Sequence, residues 1–201
     1  MATERSTPGD RYHHGNLREA LLDRALEVLS EGGVGAFSMR EAARRAGVSQ
    51  SAPKHHFGDA RGLLGALAAR AYRDLCDRLD RVDVAGAGVR ERVAALAGEY
   101  VAFARENRAL FDLMWRVTLF DLDDPELSEQ KQRAFRVLDR VLRGQDAGLP
   151  DKNDPASVPS YAVWSLVHGY TTLALDRAID DEAEDPATSA LLPAMLRLID
   201  L

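Results

Sequence analysis

Cysteine is almost missing from this chain. Cys76 is the only one in 201 residues, so no internal disulfide can form, and the expected compartment is the cytosol. A lone thiol in an apolar helical pattern reads as a small core residue rather than a redox sensor. No apolar run approaches the roughly 18 residues of a membrane-spanning helix. The opening M-A-T-E-R-S-T-P-G-D-R is polar and holds no apolar segment, so no signal peptide is expected. Strand-like runs are few. Metal-ligand spacings are missing as well. Two histidine pairs, His13-His14 and His55-His56, are adjacent in sequence, and helical neighbours point about 100° apart, so one pair rarely chelates alone. No H-x-x-x-H or E-x-x-H occurs, and no metal or other cofactor is expected. There is no G-x-S-x-G, and the Gly32-Gly33-Val34-Gly35 run lacks the Lys-Ser/Thr of a phosphate loop. Nothing marks the chain as an enzyme. It also holds no internal repeat and no low-complexity segment.

Positive charge in excess is missing too. The chain carries 26 Lys+Arg against 32 Asp+Glu, a net charge of −6. Residues 1–60 carry 8 of each and are neutral; the other 141 residues carry 18 basic and 24 acidic groups, so all the excess acid lies there. Phosphate contacts depend on local rather than total charge, so the first part remains compatible with nucleic acid. The negative total disfavours an architectural protein that coats DNA without sequence preference. Arginine outnumbers lysine 23 to 3, a bias expected of a GC-rich bacterial genome.

What is present begins with Ser38–Phe57. Ser38 and Glu41 have the S-x-x-E spacing of a capping box and predict a helix start. Met39, Ala42, Ala43 and Ala46 give that helix a small apolar face, and Gly47 stops it. Val48 plugs the turn, and Ser49 is placed to cap a second helix. Two short helices joined by a glycine turn form either a helix-turn-helix or an ordinary helical hairpin. In the first case the second helix enters the DNA major groove, with its leading residues at base edges.

Around this stretch the pattern is helical throughout. Residues 1–14 read as an arm ending in R-Y-H-H. Asn16 can cap a first helix bearing Leu17, Leu21, Ala25, Val28 and Leu29 on one face, which Gly32, Gly33 and Gly35 end. Leu21, Val28, Phe37, Met39, Ala43, Val48 and Phe57 would close a small three-helix unit. A fourth helix capped by Asp59 carries Leu64, Leu67, Ala71, Leu75 and Leu79 to about Val82. A linker at 83–88 precedes a fifth helix with Val93, Leu96, Tyr100 and Phe103. The sixth bears Leu110, Phe111, Met114, Trp115 and Leu119. Asp124-Pro125 opens the seventh, which ends at Gly144. A loop at 145–156 leads to an eighth, reaching about Ile179, and Asp185-Pro186 opens a ninth. The expected class is all-α, about nine helices, with an arm and helix-turn-helix unit at 1–60 and a helical ligand-binding and dimerisation domain at 61–201.

The first ~60 residues resemble the DNA-binding part of TetR-family transcriptional regulators. The resemblance rests on Gly15-Asn16-Leu17-Arg18, Ser38-x-Arg40-x-x-Ala43, Gly47-Val48-Ser49, and His56-Phe57 with a helix starting soon after. The arm Y-H-H-G-N-L-R, the A-P-x-x-H-F ending, and Trp164, His168 and Gly169 in W-S-L-V-H-G resemble a subgroup with a WHG-type C-terminal region. The family implies a homodimer joined through its last two helices. It implies a palindromic operator, with one recognition helix per half-site, and release by a small-molecule effector bound in the C-terminal bundle. Carried onto this chain, the recognition helix is Gln50 to His56. Gln50 and Ser51 would meet base edges, and Ser38, Arg40, Ser49, Lys54, His55 and His56 would complete the DNA contacts, mainly to phosphate. Arg11 and His13-His14 would follow the backbone or reach a minor groove. Two positions depart from the pattern: Lys54 stands where the family has an aromatic, and Ala60 where it often has a lysine, a contact Arg61 is placed to replace.

The expected effector site is built of Phe103, Phe111, Met114, Trp115, Trp164 and His168. For the aromatic and methionine cluster, packing and pocket readings are both open. For Trp164, His168 and Gly169 a structural role is favoured, with Gly169 at a close helix contact. An alternative function is a helical-bundle enzyme or small-molecule carrier with a vestigial DNA-binding unit.

Overall fold

The computed structural model describes residues 17–83, 85–144, 151, 153–179 and 189–199. The arm, with Arg11, His13, His14 and the Asn16 cap, lies outside the described residues, as do most of the 145–156 loop and the Asp185-Pro186 opening. Among the described residues there are nine α-helices and no strand. In chain order they are α1 Leu17–Gly32, α2 Met39–Arg45, α3 Ala52–Phe57, α4 Ala60–Leu79, α5 Val89–Glu106, α6 Arg108–Met114, α7 Pro125–Arg143, α8 Val158–Leu175 and α9 Leu191–Leu196.

The helix boundaries follow from local chemistry. Ser38 Oγ accepts the Glu41 N–H at 3.4 Å, so α2 starts where its cap predicts. The return half of the capping box is replaced, because the Glu41 carboxylate takes Arg44 and Arg45 instead. At the far end Gly47 adopts φ +69°, and the Val48 and Gly47 amides bond back to Ala43 and Arg44 carbonyls, a Schellman closure. The second helix begins later than its sequence suggests. A cap at Ser49 would require residue 53 to donate to the Ser49 carbonyl, and residue 53 is proline. The Ala52 amide reaches that carbonyl as a turn instead, Ser49 Oγ bonds Ser51 Oγ at 3.0 Å, and α3 starts at Ala52. Gln50 and Ser51 therefore lie in the turn before α3, not in its first turn.

Asp59 caps α4 by accepting the Gly62 N–H at 3.0 Å. The α3–α4 corner is tight enough that a Cβ on Gly62 would sit 1.9 Å from the Phe57 carbonyl oxygen. α4 is the axis of the molecule. It touches α1 and α3 at one end and α5, α6 and α7 along its length, with α7 its most extensive partner. The stripe Leu64, Leu67, Ala71, Leu75 and Leu79 is buried throughout. One continuous core runs from Leu22, Leu29 and Ala42 in the first three helices to Phe103, Tyr170 and Leu196 in the rest. Of the expected anchors of the small unit, Leu21, Val28 and Ala43 are fully buried, while Phe37, Met39, Val48 and Phe57 are half-buried.

Three further helix ends differ from expectation. α6 stops at Met114 and a 3-10 turn, Val117–Leu119, follows. α4 ends at Leu79 rather than near Val82. α8 ends at Leu175, because Arg177 takes φ +54° and the Ala178 amide closes back on the Leu173 carbonyl.

Candidate nucleic-acid interface and internal cavity

The candidate DNA-contacting residues all lie on α2, α3 and the turn between them. Arg40, Ser49, Gln50, Ser51, Lys54, His55 and His56 are exposed, and Ser38 is half-buried at its cap. Pro53 is buried beneath them and fixes the start of α3 against the unit. The neighbouring acids are already neutralised. Two guanidinium groups, Arg44 and Arg45, hold the Glu41 carboxyl down to about 2, and Arg45 also takes Glu31 at 2.6 Å. Arg40 and Lys54, by contrast, have no carboxylate partner among the described residues. The face thus presents cations, hydroxyls and imidazoles, with Glu31 and Glu41 already paired beside it, which suits a phosphate backbone.

Arg61 does not join this face. Its guanidinium donates to the Thr118 carbonyl at 2.8 Å and the Phe120 carbonyl at 3.0 Å, on the connection between α6 and α7. Those bonds engage its guanidinium with the helical body. Directly below, Gly65 allows Phe120 to approach α4, where an added Cβ would meet the Phe120 Cβ at 3.4 Å. A second tie joins the units at the start of α1, where Arg18 reaches Glu126 at 3.1 Å and Arg73 of α4 grips the same carboxylate.

The helical body holds a half-open cavity of about 530 Å³. Tyr72, Leu75 and Leu79 of α4 form one wall, Val93, Leu96, Ala97 and Tyr100 of α5 another. Lys131, Ala134, Phe135 and Leu138 of α7 face Tyr161, Val163, Trp164 and Val167 of α8, and Trp115 and Val117 close the end nearest Arg61. α7 and α8 are pinned together beside it by Asp139. That carboxylate is 1% exposed, accepts from Ser160 Oγ at 2.7 Å and pairs with Arg143. A buried charge held this completely fixes geometry, since losing one partner would strand the other.

Of the six side chains expected in the effector site, Trp115 and Trp164 lie on the cavity wall. Phe103, Phe111, Met114 and His168 do not. They form the layer behind it: Phe103 is 1% exposed beneath the Arg78 guanidinium, and Met114 is fully buried. Phe111 and His168 pack on the rings of Tyr100 and Trp115. Tyr100 Oη and His168 Nδ1 share a hydrogen bond at 3.0 Å, which aims the tyrosine. Burial lowers the proton affinity of His168 and raises the pKa values of Tyr72 and Tyr100, so all three are neutral at pH 7. Gly169 makes no close contact; a Cβ there would meet open space. Ala134, Phe135 and Leu138 lie within about one turn of α7 and Tyr161 lies three residues before Trp164, spacings that do not reveal that these faces meet around a void. Cys76 is buried and its thiol is pushed up to about 12, so it remains protonated. Among the described residues no cluster of three His, Cys, Asp or Glu side chains is arranged to hold a metal, and no helix is long and apolar enough to cross a membrane.

Fold and site together define a class: a regulator with a helix-turn-helix head and a cavity-bearing helical body in a single chain. Residues 21–67 match the family described as "Bacterial regulatory proteins, tetR family", and residues 93–198 match "Tetracyclin repressor-like, C-terminal domain". The chain belongs to the TetR family. A solved structure of a protein of unknown function from Rhodococcus sp. RHA1 is 34% identical, covers 96% of this chain and 100% of its own, and superposes with a TM-score of 0.76. The HTH-type transcriptional regulator BetI of Rhizobium meliloti (strain 1021) is 42% identical over 126 residues, which is 63% of this chain and 60% of that protein's length. The fold is shared with the Bacillus subtilis transcriptional regulator FadR, solved with stearoyl-CoA, at 17% identity and a TM-score of 0.65, covering 90% of this chain and 96% of that one.

Proposed function

We propose that this protein is a transcriptional repressor that binds a palindromic operator as a homodimer and leaves it when a small molecule fills the cavity. The single observation that carries the reading is the joint between the two parts. Arg61, on the first turn of α4 next to α3, grips the carbonyls of Thr118 and Phe120, just beyond the cavity residues Trp115 and Val117. A ligand that displaces Trp115 moves those carbonyls and, through Arg61, the start of α4. In a dimer, tilting α4 changes the spacing of the two reading heads, and a coupling of about 1–3 kcal/mol is enough to change affinity 5–150-fold.

In this reading residues 1–60 form the arm and reading head and residues 61–201 the sensing and dimerising body, in the cytoplasm. Gln50 and Ser51, in the turn leading into α3, read base edges. Ser38, Arg40, Ser49, Lys54, His55 and His56 contact mainly phosphate. Dimerisation through α8 and α9 is supported by Val158, Leu173, Leu191 and Leu198, which leave apolar surface exposed on or beside those helices. A WHG-type subgroup is supported by the placement of Trp164, His168 and Gly169 on α8.

The test is operator binding with DNA from upstream of the protein's own gene. Lys54→Ala weakens all sequences alike and lowers the salt slope, while Gln50→Ala relaxes specificity at one base pair by about 1–3 kcal/mol. Absence of sequence-specific binding would instead favour the carrier reading with a vestigial head. A monomer in sedimentation at micromolar concentration would remove the dimer.

A further inference from the structure

The chemistry of the cavity wall narrows what can occupy it. Of its lining residues, Lys131 alone carries a charge, and no carboxylate lines the space. Lys131 has no ion-pair partner among the described residues. Two of the wall hydroxyls are already used: Tyr72 Oη donates to the Met114 carbonyl and Tyr100 Oη is joined to His168. What remains is the Lys131 ammonium, which can only donate, and the Tyr161 hydroxyl. The rest of the wall is aliphatic and aromatic. On α7 the lining residues run from Lys131 to Leu138, which spans about 10 Å of helix.

We propose that the cavity binds an amphiphilic monoanion, its carboxylate or equivalent group paired with Lys131 and its apolar body laid along Phe135 and Leu138 toward Trp164. This rests on reading the cavity as the effector site and adds the ligand class. Lys131 is half-buried, and an anion that brings its own apolar body pairs the ammonium and covers the apolar wall at once. A cationic amphiphile would meet the lysine with no carboxylate to offset it, despite the aromatic rings around it. A neutral one would leave the ammonium without a partner.

Both tryptophans of the chain, Trp115 and Trp164, lie on this wall, so intrinsic fluorescence of the full-length protein reports on the cavity alone. The probes are decanoate, decanol and decyltrimethylammonium, which share a chain and differ in headgroup charge. Decanoate changes the emission saturably and binds at least tenfold more tightly than decanol, with decyltrimethylammonium weakest. Lys131→Gln brings decanoate to the decanol level and leaves decanol unchanged; helical circular dichroism and the melting temperature verify that the variant is folded. Equal affinities of decanoate and decanol, tighter binding of the cation, or an unaltered preference in Lys131→Gln would overturn the ligand class while leaving the cavity reading intact. If none of the three binds, the cavity reading falls, and the ligand class with it.

Discussion

Removing the Arg61 guanidinium should separate ligand binding from DNA release. Its two hydrogen bonds to Thr118 and Phe120 carbonyls, at 2.8 and 3.0 Å, are charge-assisted but partly open to water. Discounted for that exposure, they stabilise the joint by about 1–2 kcal/mol. If they carry the coupling, Arg61→Ala should reduce the ligand-induced loss of operator affinity by about tenfold, since about 1.4 kcal/mol is one decade. The melting temperature should fall by about 2–4 °C per kcal/mol lost. Ligand affinity, read from tryptophan emission, should be nearly unchanged, because Arg61 does not line the cavity. Operator affinity without ligand should change little, because the Arg61 guanidinium is engaged by the Thr118 and Phe120 carbonyls. Arg61→Lys retains the charge but not the two-pronged fork, and should be intermediate. The assay is fluorescence anisotropy of labelled operator, with and without a saturating cavity ligand. A variant that loses the expected stability yet releases DNA with the wild-type ratio would refute the joint.

Three other perturbations test parts of the structure independently. Gly62→Ala places a methyl 1.9 Å from the Phe57 carbonyl oxygen, a backbone atom that cannot yield, and should cost about 3 kcal/mol in urea unfolding; a loss below about 1 kcal/mol would contradict the geometry. Arg177→Gly relieves a left-handed residue at the end of α8 and should stabilise the fold by about 1 kcal/mol, whereas no gain would mean that φ +54° carries no strain. His168 is half-buried and its pKa lies below 6.5, so the unfolded chain takes up a proton first as pH falls. Stability is therefore fully present above pH 6.5 and declines as pH drops toward 5, by at most about 1.4 kcal/mol per pH unit. Urea melts at pH 7.5 and 5.5 should show this for wild type and less of it for His168→Phe; identical pH dependence would refute the assignment.

Much of the reading head is legible in the residues because its devices are local. Ser38, Gly47 and Asp59 act within a few positions of themselves, so spacing alone places α2, its turn and α4. The start of α3 was misjudged for an equally local reason: Pro53 removes the amide that a Ser49 cap would need, and that outweighs the serine's preference. The effector site was far less legible. Phe103, Phe111, Met114 and His168 are as apolar or aromatic as the true wall residues, and nothing in their spacing says whether they face a void or a neighbour.

By itself the sequence determined the number and order of the helices, the α2–α3 hairpin and the neutral head on an acidic body, since helix periodicity, caps and charge are properties of neighbouring residues. Only the tertiary structure decided which faces meet. It turned Lys131 and Phe135 toward a cavity, moved His168 behind Tyr100, and tied Arg61 to carbonyls 57 and 59 residues further along the chain. Those outcomes depend on how helices distant in sequence pack around α4, and packing is set by the sum of all the contacts rather than by any one motif.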